Sequence, residues 1–419
     1  MPSADGLFFD WNAAEGTQPS LGKLADALVL DETLRDGIQS PSAIDPSMEA
    51  KIELLHLLDE LGVEQLDVGL PGAGASQRAS IQRLAEEKRD ARLQIKLNVA
   101  CRTVLSDIEP AAELVQQTGV PLEIYAFIGS SPIRQFAEEW DLAFIEKQSV
   151  EAISFAVKQG LSVAYVTEDT TRSKPDDLRR LFRSAIEAGA KRLCLCDTVG
   201  HATPEGAAAL VRFARQVAGP AIGLDWHGHN DRGLALANAL AAGAAGATRL
   251  HGCAAGIGER VGNAATDQLL VNLKLLGHPL YGPRDMKKLV QFVELAARAT
   301  GHTLPVNYPV AGPDAFRTAT GVHAAAIVKA QRKGDAWLAD RIYSGVPAGE
   351  FGKSQQIEVG PMSGLSNVKH WLARHEIPPD ETLAKAILQR AKGSARTLTE
   401  KELTQLLREL RTGDLAARS

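Results

Sequence analysis

The sequence predicts an α/β protein: a closed (β/α)8 barrel with a small, mainly helical C-terminal region. Three observations predict it. Short β-rich runs alternate with amphipathic helical stretches, the pattern of a parallel sheet with crossover helices. The alternation repeats eight times between residues 27 and 280, close to the roughly 250 residues that an eight-unit barrel takes. No G-x-G-x-x-G follows the first run, so the rival doubly wound sheet lacks its usual phosphate loop.

The elements follow in order. Residues 1–26 read as a mixed, turn-rich leader. β-rich runs fall near 27–34, 64–70, 93–99, 121–128, 161–167, 191–196, 222–227 and 247–252. After the first, Met48, Ile52, Leu55, Leu58 and Leu61 recur at helical spacing between charges. The segments 175–188, 204–218 and 232–245 read the same way, and the last barrel helix falls near 262–276. Asp45 and Pro46 read as an N-cap and first helical residue, and Pro204 also marks a helix start. Residues 134–147 (RQFAEEWDLAFIEK) read as an insertion after strand four, either a cover over the barrel mouth or an ordinary surface helix. Beyond 280 the rhythm stops. A helix over 283–302 precedes a Pro/Gly-rich stretch, a short helix, a polar loop and a helical segment over 365–412. The expected organisation is a leader (1–26), a catalytic barrel (27–280), a linker with a first C-terminal subdomain (281–364) and a helical second subdomain (365–419).

Composition narrows the function. Of 419 residues, 45% are hydrophobic and 23% charged, and the net charge is −5. These values exclude collagen-like, coiled-coil and disordered classes, and the lack of a basic surplus argues against nucleic acid and membrane surfaces. Cys101, Cys194, Cys196 and Cys253 are too few and scattered for a disulfide framework. Cys194 and Cys196 share one face of a strand and read as core thiols. The acidic N-terminus lacks the features of a signal peptide, and no run of about 18 apolar residues exists. A soluble, cytoplasmic protein is expected.

Three motifs carry chemistry. In WHGHNDRG (226–233), His227 and His229 close a strand two residues apart, so both imidazoles face the barrel interior at the end where catalytic groups sit. Two imidazoles there suit a divalent metal, though a lone H-x-H is a weak signal. In LDETLRDGIQSP (30–41), Asp36 can add a carboxylate to the same metal. Arg35 places a fixed positive fork beside it, suited to a substrate carboxylate or an oxyanion. The alternative there is a solvated turn with an Arg–Asp pair. In GIGERVGNAA (256–265), the glycines admit a ligand close to the backbone, and Asn263 offers an amide oxygen to a hard metal. The alternative is a Gly-rich turn into the last helix.

Together these motifs resemble the 2-isopropylmalate, homocitrate and citramalate synthase family, metal-dependent TIM-barrel enzymes of a Claisen-condensing superfamily that also contains hydroxymethylglutaryl-CoA lyase. CDTVGHATP (196–204), TGVHAAAIVKA (320–330), Tyr343 and FGKSQQIEVGPMSGLSNV (351–368) extend the resemblance over about residues 27–400. The resemblance implies that Asp36, His227 and His229 bind a divalent cation (Mg, Mn or Zn), with Asn263 ligated or nearby. It implies that Arg35 and Gln39 face a 2-oxo acid, that Thr198 holds its carboxylate, and that Glu168 is an active-site glutamate. His323 and Tyr343 match residues that one subunit's tail offers to its partner's barrel, so a homodimer is expected.

Departures affect the substrate. Ile38 replaces a glutamate of the usual motif, Asp67 stands for a longer glutamate, and Val166 replaces a serine. Ala164 stands where homocitrate synthases carry an arginine, and Arg134 where the family has a histidine. These changes argue against 2-oxoglutarate, and Arg134 either serves a second substrate carboxylate or points to solvent. The length predicts that the family's leucine-feedback domain is absent. The implied reaction is a Claisen condensation of acetyl-CoA with a 2-oxo acid followed by thioester hydrolysis, with His323 as base, supported by Tyr343 and Glu168. The rivals are a hydroxymethylglutaryl-CoA-lyase-like enzyme, which would use a cysteine that GIGERVGN lacks, and a non-catalytic regulator that binds metal and oxo acid.

Overall fold

A computed structural model describes Leu7 and residues 9–13, 24–378 and 380–412; most of the predicted leader lies outside them. Eight strands close into an all-parallel barrel in sequential order. They are β1 (Leu28–Asp31), β2 (Gln65–Asp67), β3 (Lys96–Arg102), β4 (Leu122–Gly129), β5 (Ser162–Glu168), β6 (Arg192–Asp197), β7 (Gly223–Gly228) and β8 (Arg249–Gly252). β8 closes on β1 in the register Leu28↔Arg249 to Asp31↔Gly252. The strands are buried almost end to end, as parallel strands covered on both faces must be.

The crossover helices are α1 (Met48–Leu61), α2 (Ala75–Asp90), α3 (Leu105–Thr118), α4 (Pro132–Glu138), α5 (Leu142–Lys158), α6 (Pro175–Glu187), α7 (Pro204–Ala218), α8 (Ala235–Ala245) and α9 (Thr266–Leu275). α6 is representative: Leu178, Leu181, Phe182 and Ala185 form its buried stripe at helical spacing. Pro204 does begin α7, behind the Thr203 cap. Two local expectations are corrected. α1 is capped by Ser47, whose Oγ accepts from Ala50 N at 3.3 Å, while Asp45 pairs with Lys51 at 2.7 Å; Ser47 immediately precedes the helix, and Asp45 lies two residues too early to cap it. The insertion is shorter than 134–147. Only α4 and its exit are extra, because Asp141 caps Phe144 N at 2.7 Å and starts the ordinary crossover helix α5.

The chain falls into two compact units: Met1–Arg284 with Gln291–Thr303, and Asp285–Val290 with Leu304–Ser419, each over its described residues. The first is the barrel, joined by most of α10 (Leu289–Thr300), whose Thr300 O accepts from Ile44 N at 2.9 Å. The second contains the parallel pair β9 (Arg317–Thr318) and β10 (Gln356–Ile357). Its helices are α11 (Gly321–Arg332), α12 (Ala336–Arg341), α13 (Leu365–Arg374), α14 (Glu381–Lys392) and α15 (Glu400–Thr412). Val359, Trp371, Leu372, Ile387 and Leu403 form its main core. Among the described residues no helix is long and apolar enough to cross a membrane.

Asp31 ties the end of β1 to the start of α9. Its carboxylate accepts from Thr33 N at 2.9 Å and Thr266 Oγ1 at 2.6 Å. Burial raises its pKa from 3.8 to about 6 against those hydrogen bonds. A raised acid adds stability below its unfolded pKa and loses it as pH rises through the folded value. Asp31→Asn has no such group to ionise. Its unfolding free energy is expected to match the parent near pH 4 and to exceed it by about 3 kcal/mol at pH 7, the free energy that a rise of this size in one carboxyl's pKa represents. Urea melts across that range check this, and a pH-independent difference between the two proteins contradicts it.

Candidate metal centre and substrate cavity

Alternation along a strand places residues two apart on the same face, and β7 aims Asp225, His227 and, just beyond it, His229 inward. The loop after β1 brings Asp36 to meet them. His227 Nε2 and His229 Nε2 are 3.2 Å apart, and Asp36 Oδ2 lies 3.5 Å from the latter and 3.9 Å from the former. All three side chains are buried. His227 Nδ1 lies 2.6 Å from Glu32 Oε2. With its Nδ1 proton on Glu32, a neutral His227 turns a lone pair toward a second imidazole and a carboxylate. Two imidazole nitrogens and a carboxylate oxygen converge there, so the donor set fits a cation at that point, with Glu32 as the outer carboxylate that fixes the ring.

Without a cation, a proton takes its place. Burial opposes the charge on Glu32, yet His227, Arg35 and His251 hold its carboxyl well below the usual range. Burial opposes a proton on His227 as well, but Glu32 and Asp36 raise it to about 9. Burial and the neighbouring His227 push His229 down to about 4. Asp36 is also lowered, because Arg35 and His227 outweigh its burial.

Asn263 stands behind Asp36, donating from Nδ2 to Asp36 Oδ2 at 2.7 Å. Its Oδ1 and His229 Nδ1 are buried without a hydrogen-bond partner. Arg35 is gripped by three carboxylates: Nε donates to Asp67 at 3.0 Å, Nη1 lies 3.3 Å from Asp36, and Nη2 donates to Glu32.

These groups open onto a cavity of about 330 Å³ at the C-terminal mouth of the barrel. Arg35, Asp36, Gln39, Glu168, Thr198, His227 and His229 all line it. Two residues read as substrate contacts stand elsewhere. Asp67 is fully buried and serves as the anchor of Arg35 and of Gly69 N rather than as part of the wall. Arg134, on α4, pairs with Glu138 at 2.9 Å and approaches Glu168 at 3.8 Å, outside the lining. The shorter Asp67 reaches only as far as Arg35, and Arg134 is drawn to carboxylates beside it. In the tail unit, His323 and Tyr343 stack with ring centroids 4.0 Å apart.

Sequence reasoning missed most of the other half of the cavity: it singled out Val166 but read Cys194 and Cys196 only as core thiols. Ala100, Tyr125, Phe127, Val166, Cys194 and Cys196, from β3 to β6, make an apolar wall opposite the charged seam of β7, β8 and β1. Ala164 lies beneath it in one cluster with Leu30, Tyr125 and Cys194. It also missed Glu32, although that residue sits inside the quoted DETLRDG, and it missed His251 and Asp225 below the site. The in–out alternation that singled out His227 and His229 would have found Asp225 one step lower on the same strand.

The HMGL-like family model matches residues 27–297. Homocitrate synthase AksA of Methanopyrus kandleri is 32% identical over 92% of this chain and 92% of its own. The 2-isopropylmalate synthase of Sulfolobus acidocaldarius is 31% identical over 88% of this chain and 90% of its own. A putative (R)-citramalate synthase of M. kandleri is 31% identical over 91% of this chain and 72% of its own. In fold, the chain resembles an HMG-CoA lyase from Acinetobacter baumannii, solved with coenzyme A and 3-methylmalate, with a TM-score of 0.55 and 20% identity over 67% of this chain and 93% of that one. The barrel, its motifs and these matches agree: the chain belongs to the HMGL-like family.

Proposed function

We propose that this protein is an acyltransferase that condenses acetyl-CoA with a 2-oxo acid, giving a 2-alkylmalate-type product and CoA, at a divalent cation held by Asp36, His227 and His229. The observation that carries this reading is the convergence of those three buried donors beside Arg35, at the mouth of a barrel whose sequence relatives are named as such synthases.

A cation bound there supplies Lewis-acid polarisation of the ketone. The chain's own groups do the rest. Arg35, pinned in place by Glu32, Asp36 and Asp67, keeps its positive fork on the cavity for the oxygen that gains charge. Thr198 Oγ1 already accepts from Asp169 N at 2.8 Å, so its hydroxyl proton is left for a substrate carboxylate. Gln39 adds a neutral amide beside it. The apolar wall takes the side chain of the oxo acid. The two arginines that line the cavity, Arg35 and Arg260, are committed, the latter to Asp231 at 2.9 Å and to Thr198 O, so a second substrate carboxylate finds no uncommitted arginine in the wall. His323, supported by Tyr343 and Glu168, removes a proton from the acetyl methyl group, and it is offered by the tail of a second copy. The enolate attacks the ketone, and water hydrolyses the thioester.

The lyase reading asks for a reactive cysteine beside the glycine-rich loop. Cys253 is fully buried, and burial pushes its thiol well above the usual range. That favours the synthase.

Two outcomes follow. A thiol-release assay with acetyl-CoA and a panel of 2-oxo acids is expected to give CoA with apolar members such as 2-oxoisovalerate, and at least about tenfold less with 2-oxoglutarate. A buried carboxylate without a partner costs more than the roughly 1.4 kcal/mol that a factor of ten represents. Release with no oxo acid at all sinks the synthase reading. His323→Ala is expected to keep metal and oxo-acid binding in calorimetry while turnover falls by about 10²–10⁴. Unchanged turnover removes His323 from the chemistry.

A further inference from the structure

Beneath the candidate metal centre, four side chains close a ring across the β7–β8–β1 seam. His227 Nδ1 meets Glu32 Oε2 at 2.6 Å, and Glu32 Oε1 lies 3.2 Å from His251 Nδ1, an ion-pair approach without hydrogen-bond alignment. His251 Nε2 lies 3.2 Å from Asp225 Oδ2. Asp225 stands two residues before His227 on the same face of β7, and the His227 and His251 rings meet edge to face at 5.9 Å. All four are buried, His251 to 1% exposure and Asp225 to 0%.

The far end of this ring is immobile. Asp225 takes Arg192 Nε at 2.7 Å and the Tyr125 hydroxyl at 2.5 Å. Tyr125 in turn accepts from Arg249, which also holds Glu123 at 2.9 Å. The near end is contested. Glu32 Oε1 is pulled by Arg35 from the cavity side and by His251 from below. Of these two contacts only His251 reaches the Asp225 cluster, whereas Arg35 is held by Asp36 and Asp67 at the cavity.

We infer that His251 is a positioning residue: it anchors Glu32 to the fixed Asp225 cluster, so that Glu32 holds His227 with Nε2 turned toward the cation site. The inference rests on the cation reading above and concerns groups two contacts away from the ion. A carboxylate behind a ligating imidazole commonly governs metal affinity by roughly ten- to a hundredfold. Here that carboxylate has a dedicated anchor of its own.

The test is Mn²⁺ binding to the metal-free protein by titration calorimetry, with no substrate and no turnover. His251→Phe keeps the ring volume and removes both polar contacts, so Mn²⁺ affinity is expected to fall about tenfold. His251→Gln, which can still bridge with one amide, should recover most of the loss. Partial rescue of this kind is not the signature of a merely structural ring. Should His251→Phe not fold, His251→Gln and His251→Asn are compared instead, and a graded loss that follows their reach is expected. Variants that fold and bind Mn²⁺ as tightly as the parent overturn the inference alone. A parent chain that takes up no Mn²⁺ overturns the cation reading and this inference with it.

Discussion

The site depends on one constraint: the interior of a closed parallel barrel admits little water, so each charge placed there needs an opposite charge or a cation beside it. Leaving one buried charge without its partner costs about 3–5 kcal/mol. Strands carry Asp67, Asp225, Arg192 and Arg249 into one interior, and the segment after β1 adds Glu32, Arg35 and Asp36. Arg35 is neutralised by three carboxylates, and Asp225 by Arg192 and Arg249, with the Tyr125 hydroxyl donating to it. Asp36, although paired with Arg35 and Asn263, also meets His227 and His229. The proposed divalent cation would complete that donor set.

The cavity is divided by the same logic. Most of the charge lies on the seam of β7, β8 and β1, and β3 to β6 present mainly apolar side chains, with Glu168 at the end of β5 the exception. A 2-oxo acid with a hydrocarbon side chain, the substrate class proposed above, suits such a division. The strong pairing of Arg35 also has a use. A guanidinium fixed before the substrate arrives need not reorganise when charge develops on it.

Much of this was legible in the sequence. The eight β-rich runs locate the eight strands, and alternation alone faces His227 and His229 into the barrel. Other parts were hidden for identifiable reasons. Ser47 rather than Asp45 caps α1, because capping is decided by backbone geometry that composition does not reveal. Asp67 looked like a substrate contact, since only coordinates show that it reaches Arg35 and stops. Glu32 was overlooked beside Arg35 and Asp36, because its partners His227 and His251 lie about 200 residues away in sequence and across the barrel seam in space. Cys194 and Cys196 are buried as expected, yet they also line the cavity, a role that a single strand's pattern cannot reveal.

The central claim is that Asp36, His227 and His229 form one cation site. Anomalous diffraction from crystals grown with Mn²⁺ tests it most directly. The expected result is a single strong peak per chain, about 2.0–2.2 Å from a carboxylate oxygen of Asp36 and from one nitrogen each of His227 and His229. A peak at another cluster, or none at saturating Mn²⁺, would contradict it.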